Sequence, residues 1–320
     1  MPKLWGVNLA GAEFAPDRLP GTLGVDYEFP DIETYAYYAE QGIKFVRLPL
    51  LWERIQHGRL WHLDVLEMHR GLLKSLDAAA ECGVQCLLEL HNYGRYFTRS
   101  LTVAQDDVDA IRDVVGKLVE ATTAHEAVYG YEVPCNEPHD LLGDPETTWR
   151  LAAETAEAVR MRSGKLIVWA TPGWQSARFL KDNEQGFVWS DDDNSVLGVH
   201  NYGDGNFTGT YGVPYEQDVD QGYPRGPVQR STMAERLQHA IDWAEPRGLR
   251  LLVTECGVPA GAPWLEMLEA FLGRITSNPS VLGAFLWAGG RRWPADYPLN
   301  LEPIGGKHKP QLALLKKFLV

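Results

Sequence analysis

The 320-residue chain carries 43 acidic and 30 basic side chains, a formal net charge of −13, and this excludes nucleic acid and anionic membrane surfaces as partners because their phosphates would repel it. It is 45% hydrophobic and 23% charged, globular rather than disordered, and no run reaches the ~18 apolar residues of a membrane-spanning helix. The four cysteines, Cys82, Cys86, Cys135 and Cys256, lack the spacing of a zinc site and read as buried free thiols; Cys82 and Cys86 straddle a turn and could be bridged only if geometry allowed.

The N-terminus, Met1-Pro2-Lys3-Leu4-Trp5, lacks the apolar core of a secretory signal, so the sequence is expected to be either a mature chain or an intracellular one. From there short apolar runs alternate with amphipathic ones. Strand Leu4–Leu9 leads through a Gly/Pro/Asp-rich loop, Pro16–Pro30, to helix Ile32–Glu40. Strand Phe45–Leu48 precedes helix Leu63–Glu81, and strand Cys86–Leu90 precedes helix Val103–His125. Strand Val128–Val133 precedes helix Glu146–Arg162. Strand Leu166–Ala170 is followed only by a short helical piece, Ala177–Lys181, and a loop, Ser190–Asn194. Strand Val196–His200 opens into a long loop, Gly203–Pro227, before helix Thr232–Ala244. Strand Leu251–Thr254 precedes helix Trp264–Ile275, and strand Leu282–Trp287 runs into loop Gly289–Gly306 and a final helix, Pro310–Val320.

Strands apolar on both faces are parallel strands covered by helices. Eight strand–helix alternations predict a closed (β/α)8 TIM barrel, class α/β. No linker divides the chain, so residues 1–320 are expected to form one catalytic domain without an appended binding module. No G-x-G-x-x-G motif follows the first strand, which argues against an open dinucleotide-binding sheet.

In a barrel, chemistry collects where strands end at the C-terminal face. Here Arg47-Leu48-Pro49, His91-Asn92-Tyr93, Asn136-Glu137-Pro138, His200-Asn201-Tyr202, Glu255 and Trp287 stand at six such ends. Taken singly, each has a bland reading: a glutamate that pairs with an arginine, a satisfied histidine, a core tryptophan. Their coincidence points elsewhere. Two carboxylates on two strands, Glu137 and Glu255, are what glycoside cleavage needs, one as acid/base and one as nucleophile. An arginine beside the nucleophile would keep it ionised, and Tyr202 could donate to it. An asparagine beside the acid/base can bond the sugar 2-hydroxyl. His91 and His200 could contact hydroxyls or orient neighbours, and Trp287 could floor the sugar site. Eleven Trp and thirteen Tyr supply aromatic faces for sugars; Trp52, Tyr93, Tyr96, Trp174, Tyr211, Trp264 and Trp293 are candidates for stacking.

The set resembles glycoside hydrolase family 5, the cellulase A family, within the clan of (β/α)8 retaining hydrolases. The resemblance runs from Gly6-Val7-Asn8 and Gly11-Ala12-Glu13-Phe14 through Gly42-Ile43-Lys44-Phe45-Val46-Arg47-Leu48-Pro49, Asn136-Glu137-Pro138-His139, His200-Asn201-Tyr202 and Thr254-Glu255-Cys256-Gly257 to Trp287. The opening Gly-Ala-Glu-Phe and Tyr27-Glu28-Phe29-Pro30 look like the fungal and bacterial endoglucanase branch. The resemblance implies that Glu137 is the acid/base and Glu255 the nucleophile, with Arg47, His91, Asn136, His200, Tyr202 and Trp287 around the sugar at the cleavage point. It implies a retaining endo-β-1,4-glucanase acting on a β-glucan, with no metal or organic cofactor, and an extracellular setting suited to a polymer; a monomer is the default expectation, since no exposed apolar stripe demands a partner. A β-mannanase or xyloglucanase would use the same set. Trp52 and Trp174 are expected to extend the binding cleft. Two departures stand out: Val133-Pro134-Cys135 before the acid/base, where Pro134 would bend or end the strand, and Cys256 after the nucleophile.

A non-catalytic sugar-binding barrel would have lost a carboxylate, and both are present. A barrel for phosphorylated substrates would want a phosphate cradle after the last strands, which Gly289-Gly290-Arg291-Arg292 superficially offers.

Overall fold

The computed structural model describes residues 2–58, 61–97, 99–102, 104–138, 144–190, 192–222 and 225–319. Twelve strands are present among these: β1 (Leu4–Leu9), β2 (Phe45–Leu50), β3 (Gln85–Leu90), β4 (Arg95–Tyr96), β5 (Arg99–Ser100), β6 (Val128–Val133), β7 (Leu166–Ala170), β8 (Ser195–Tyr202), β9 (Val219–Asp220), β10 (Gly226–Pro227), β11 (Leu251–Gly257) and β12 (Val281–Gly289). Eight of them close into a parallel barrel in the order β1-β12-β11-β8-β7-β6-β3-β2, and the other four form two small antiparallel ladders in loops. The closed barrel is the one that the strand–helix alternation predicts. Two strands that carry functional ends run past their apolar stretches, because pairing continues into the polar tips: β8 reaches Tyr202 and β11 reaches Gly257.

The helices are α1 (Ile32–Glu40), α2 (Val65–Met68), α3 (Lys74–Glu81), α4 (Gln105–Thr122), α5 (Pro145–Arg160), α6 (Thr232–Ala244), α7 (Ala262–Ser277) and α8 (Pro310–Leu315). The run predicted as one helix over 63–81 is continuous from Val65, but its middle, His69–Leu73, is wound as π-helix. Val103, where helix α4 was expected to begin, lies outside the described residues. The Asp31 carboxylate caps α1 by accepting from the Thr34 N–H. No described helix is long and apolar enough to cross a membrane. All four cysteines are free, and β6 ends at Val133, immediately before Pro134.

Two apolar regions hold this architecture. The larger lies between strands and helices. A smaller one, with Leu4, Leu87, Val168, Val196, Leu252 and Phe285, fills the barrel interior. Side chains alternate faces along a strand, so Arg47, Glu89 and Glu132 share a face with Phe45, Leu87 and Gly130, one step nearer the C-terminal rim. The interior is therefore apolar below and charged above, and the charged layer is the floor of the site.

The Gly289-Gly290-Arg291-Arg292 stretch is no phosphate cradle. Arg291 pairs with Asp31 at 2.8 Å and Glu33 at 3.0 Å, and Arg292 donates to the Val25 carbonyl. Close strand approach makes one glycine test the packing. Gly283 faces Leu4 across the β1–β12 ladder, and a methyl group there would sit 1.9 Å from the Leu4 carbonyl oxygen. Gly283→Ala is expected to destabilise the barrel by about 1–3 kcal/mol, as overpacking does, measured by chemical denaturation.

Candidate active site

The site is organised around Arg47, a fully buried guanidinium at the third position of β2. Its Nε donates to Glu132 Oε2 at 2.6 Å, Nη1 to Glu255 Oε1 at 2.7 Å and to Asn8 Oδ1 at 2.9 Å, and Nη2 to Asn136 Oδ1 at 2.7 Å. Glu89 Oε1 lies 3.5 Å from Nη2. Burial opposes the charge of Arg47, but Glu132, Glu89 and Glu255 outweigh burial and raise its pKa further. One planar group thus ties together side chains from β1, β3, β6 and β11 and the turn after β6.

Glu255 closes the polar tip of β11. Its Oε1 accepts from Arg47, and its Oε2 accepts from the Tyr202 hydroxyl at 2.7 Å. Burial alone would raise its pKa, but His200, Arg47 and His91 supply positive charge, and Tyr202 supplies a hydrogen bond. The balance lies on the ionised side, and the carboxyl is held below its ordinary value. This is an anion fixed in place, with its lone pairs directed by two donors.

Glu137 lies just beyond β6. His200 Nδ1 stands 2.7 Å from Glu137 Oε1 and 3.6 Å from Glu255 Oε2, so one imidazole bridges the two carboxylates. Burial tends to lower the His200 pKa, but the charge of Glu255 and the hydrogen bond and charge of Glu137 raise it. Glu137, His200 and Glu255 each bring one polar atom within 4.8 Å of the others. Arg47 and Tyr202 already engage Glu255, and a divalent cation bound to that carboxylate would lie against the guanidinium. The donor set is suited to sharing protons rather than caging an ion.

Glu137 has a φ of 35°, and Gln175, at 51°, and Tyr93, at 53°, also lie in the left-handed region. Such backbone costs on the order of 1–3 kcal/mol per residue and persists only where surrounding contacts fix it. Here the Glu137 N–H donates to Gln175 Oε1 at 2.6 Å, and Gln175 Nε2 donates to Glu132 Oε1 at 2.7 Å. Gln175 thereby couples the acid/base candidate to the Arg47 network.

His91 donates from Nδ1 to Glu89 Oε1 at 2.7 Å, and its Nε2 lies 3.0 Å from the Tyr93 hydroxyl. Burial lowers its pKa, but the charge and hydrogen bond of Glu89, with Glu255 and Glu13 behind, lift it from 6.5 to about 9. His91 stacks on Trp287 with centroids 5.7 Å apart and planes 22° apart. Trp287 Nε1 donates to the Tyr297 hydroxyl at 3.1 Å.

The structure thus gathers Glu137, Glu255, Arg47, His91, Asn136, His200, Tyr202 and Trp287 at one end of the barrel. Trp174 stands beside Gln175 and is 46% exposed. Trp52 does not reach the cleft. It is 1% exposed, its ring packs 4.3 Å from Tyr96, and its Nε1 donates to Gln56 Oε1 at 2.6 Å. The stacking role expected of it is corrected to core packing, because the turn after β2 folds back under the cleft instead of lining it. Tyr96, Tyr211 and Trp264 are likewise held in packing. His139 lies outside the described residues. Sequence reasoning missed Glu89, Glu132 and Gln175. The first two had a signal, a lone carboxylate at an alternate position of an apolar strand; Gln175, in a turn, had none.

The cellulase (glycosyl hydrolase family 5) model matches residues 7–287. The chain belongs to glycosyl hydrolase family 5. Within the family it is 32% identical to Pseudomonas stutzeri endoglucanase Cel5A, solved in complex with cellobiose, with a TM-score of 0.87 over 99% of this chain and 92% of that one. XacCel5A, solved with cellopentaose, is 28% identical, with a TM-score of 0.88 over 99% of both chains. Endo-beta-1,4-glucanase A of Emericella nidulans is 25% identical over 94% of this chain and 87% of its own.

The raised pKa of His91 has a consequence for stability in this family-5 barrel. A group whose folded pKa exceeds its unfolded value contributes stability that is full below the unfolded pKa and disappears as pH rises through the folded one. That window runs from 6.5 to about 9. Unfolding free energy is expected to decline across it, and His91→Gln should remove that component of the decline; denaturant titrations of both proteins at several pH values measure the difference.

Proposed function

We propose that this chain is a retaining endo-β-1,4-glucanase, acting as a monomer and as one catalytic domain across residues 1–320. The observation that carries the reading is the approach of one oxygen of Glu137 to one of Glu255 within 4.8 Å, with His200 Nδ1 near both. Retaining enzymes hold their carboxyl groups about 5–5.5 Å apart, whereas inverting ones need about 6.5–9.5 Å to admit a water. The endoglucanases among its relatives, and the cellobiose and cellopentaose bound to two of them, support a β-1,4-glucan as substrate. The net charge of −13 is compatible with a neutral polymer.

In this reading Glu255, ionised and aligned by Arg47 and Tyr202, attacks the anomeric carbon. As the bond to the leaving oxygen breaks, Glu137 gives that oxygen its proton, and a covalent glycosyl-enzyme forms. Glu137, now a carboxylate, takes a proton from water. The resulting hydroxide attacks the same carbon from the opposite face, which releases Glu255 and restores the original configuration. His200, with Nδ1 2.7 Å from Glu137 Oε1, holds the acid/base carboxyl in place through both steps. Asn136, with its Oδ1 held by Arg47, presents its amide N–H to the sugar 2-hydroxyl, a bond that strengthens as charge develops on the ring. His91, charged and stacked on Trp287, completes the polar wall.

Glu255→Gln is expected to lower kcat on the order of 10^4-fold or more while polymer binding remains. The check is reducing-sugar release from carboxymethylcellulose, mixed-linkage glucan, xyloglucan and glucomannan. Activity confined to one of the last two would replace the substrate and keep the mechanism; activity in the Glu255→Gln protein would sink the mechanism. Glu137→Ala should lose about 10^2–10^4-fold and recover in part with azide or with a substrate carrying a good leaving group. NMR of the first product from the wild-type protein should show the β-anomer.

A further inference from the structure

A cavity of about 460 Å³ opens at the same end of the barrel, lined in part by Glu13, Phe14, His91, Tyr93, Trp287 and Trp293. It adjoins the reaction centre through His91 and Trp287. Its position fixes which part of a polysaccharide it can hold. Glu137 protonates the leaving oxygen, so the departing sugars lie on its side, where Gln175 and Trp174 stand. The cavity lies on the other side, toward the ends of β1, β2 and β3, and is left for the sugars that stay attached to the nucleophile.

The walls of this cavity are aromatic. Trp293 meets Phe14 edge-on at 4.8 Å and Trp287 at 5.9 Å, and lies flat on Tyr297 at 4.2 Å. Two polar atoms among these lining residues are shielded from solvent and lack a hydrogen-bond partner: Glu13 Oε1, an acceptor when ionised, and Trp293 Nε1, a donor. The other Glu13 oxygen is engaged, accepting the Gly11 N–H at 2.7 Å, so the side chain is held rather than free to swing away. Arg54 fixes the same segment by donating to the carbonyls of Phe14 at 2.6 Å, Arg18 at 2.9 Å and Ala15 at 3.1 Å. A carboxylate positioned this firmly, with one oxygen unpaired in an aromatic wall, is built for a donor that arrives from outside the chain.

We propose that Glu13 is a substrate-binding residue whose Oε1 accepts a hydrogen bond from a hydroxyl of a sugar unit on the glycone side of the cleavage point, with Trp293 as the neighbouring donor. The inference rests on the glucanase reading and extends it to a residue outside the strand-end set. Burial, the leading influence, lifts the Glu13 carboxyl to about 7 against the opposing charge of His91 and the Gly11 N–H. The charged and titratable groups around it are His91, Glu89 and Tyr93 at the end of β3, Glu53 and Arg54 after β2, and Arg95 on β4. A hydroxyl that donates to Oε1 favours the ionised carboxylate. By linkage, the sugar then binds more tightly as pH rises through about 7.

The test is steady-state hydrolysis of cellopentaose by wild type, Glu13→Ala and Glu13→Gln at several pH values on both sides of about 7, with thermal unfolding of each protein alongside. Glu13→Ala is expected to raise KM about tenfold, the effect of losing one charge-assisted hydrogen bond, with kcat changed less than about threefold. Glu13→Gln keeps a single acceptor oxygen and can replace only one of the two carboxylate oxygens, so it should recover the KM only in part. It should also abolish the fall in KM that wild type shows with rising pH. An unchanged KM in Glu13→Ala, or a pH trend that persists in Glu13→Gln, overturns the assignment while the glucanase reading stands. Equal loss of kcat in both variants with lowered unfolding temperatures also overturns it, because the role is then structural. Failure of the wild-type protein to cleave cellopentaose or any polymer in the panel overturns the glucanase reading, and this inference with it.

Discussion

Everything at the catalytic end of the barrel depends on one buried guanidinium. Arg47 faces Glu89, Glu132 and Glu255, and a buried charge is tolerable only when paired and hydrogen-bonded. The pairing also works in reverse. With Arg47 removed, the three carboxylates would face one another in a low-dielectric interior, and the nucleophile candidate would lose the charge that keeps it ionised. Lysine could not substitute, since its point charge cannot reproduce a planar fork that meets Glu132, Asn8, Glu255 and Asn136 at once. His91 supplies a second positive charge through Glu89, which is why its pKa is raised and not lowered by burial.

The strands supply the position of these groups, but loops supply their orientation. Gln175 holds the Glu137 backbone in a left-handed conformation and returns its own amide to Glu132. Arg54 ties the segment carrying Glu13 to the turn after β2. Asp204 plays the same part in the long loop after β8, accepting from the N–H groups of Gly209 at 3.0 Å and Thr210 at 3.1 Å. In each case a buried polar side chain satisfies backbone groups that a loop cannot satisfy by itself. The site is therefore preorganised: its donors are already aimed before any sugar arrives.

The barrel was legible in the sequence because parallel strands covered on both faces give continuous apolar runs, and helices between them give a different period. The strand-end residues were legible for the same reason, since a polar residue that terminates a buried strand is conspicuous. Glu89 and Glu132 were hidden by that logic. They lie inside runs read as apolar, and only their interior-facing register, two steps from Leu87 and Gly130, reveals a charged layer. Trp52 was misplaced because aromatic residues near a strand end serve the core and the cleft equally well, and the difference is set by how the turn after β2 folds. Gln175 was invisible, since nothing local marks a turn glutamine as the partner of a backbone N–H 38 positions away.

The charged layer also explains why this barrel is not built for maximum stability. An interior filled throughout with apolar side chains would avoid the desolvation of Arg47 and three carboxylates, and replacing buried ion pairs by well-packed apolar groups is often neutral or stabilising. Glu89 Oε2 even remains without a hydrogen-bond partner among the described residues. That arrangement makes sense only if the ionised state of Glu255 matters more than the energy of the interior. Each group in the layer biases that state: Arg47 directly, Glu89 through His91, and Glu132 by holding Arg47 and Gln175. A double-displacement reaction needs a carboxylate that is anionic, desolvated and fixed in direction at the same moment. In water those demands conflict; inside a barrel whose upper layer is an ion network, they are met together.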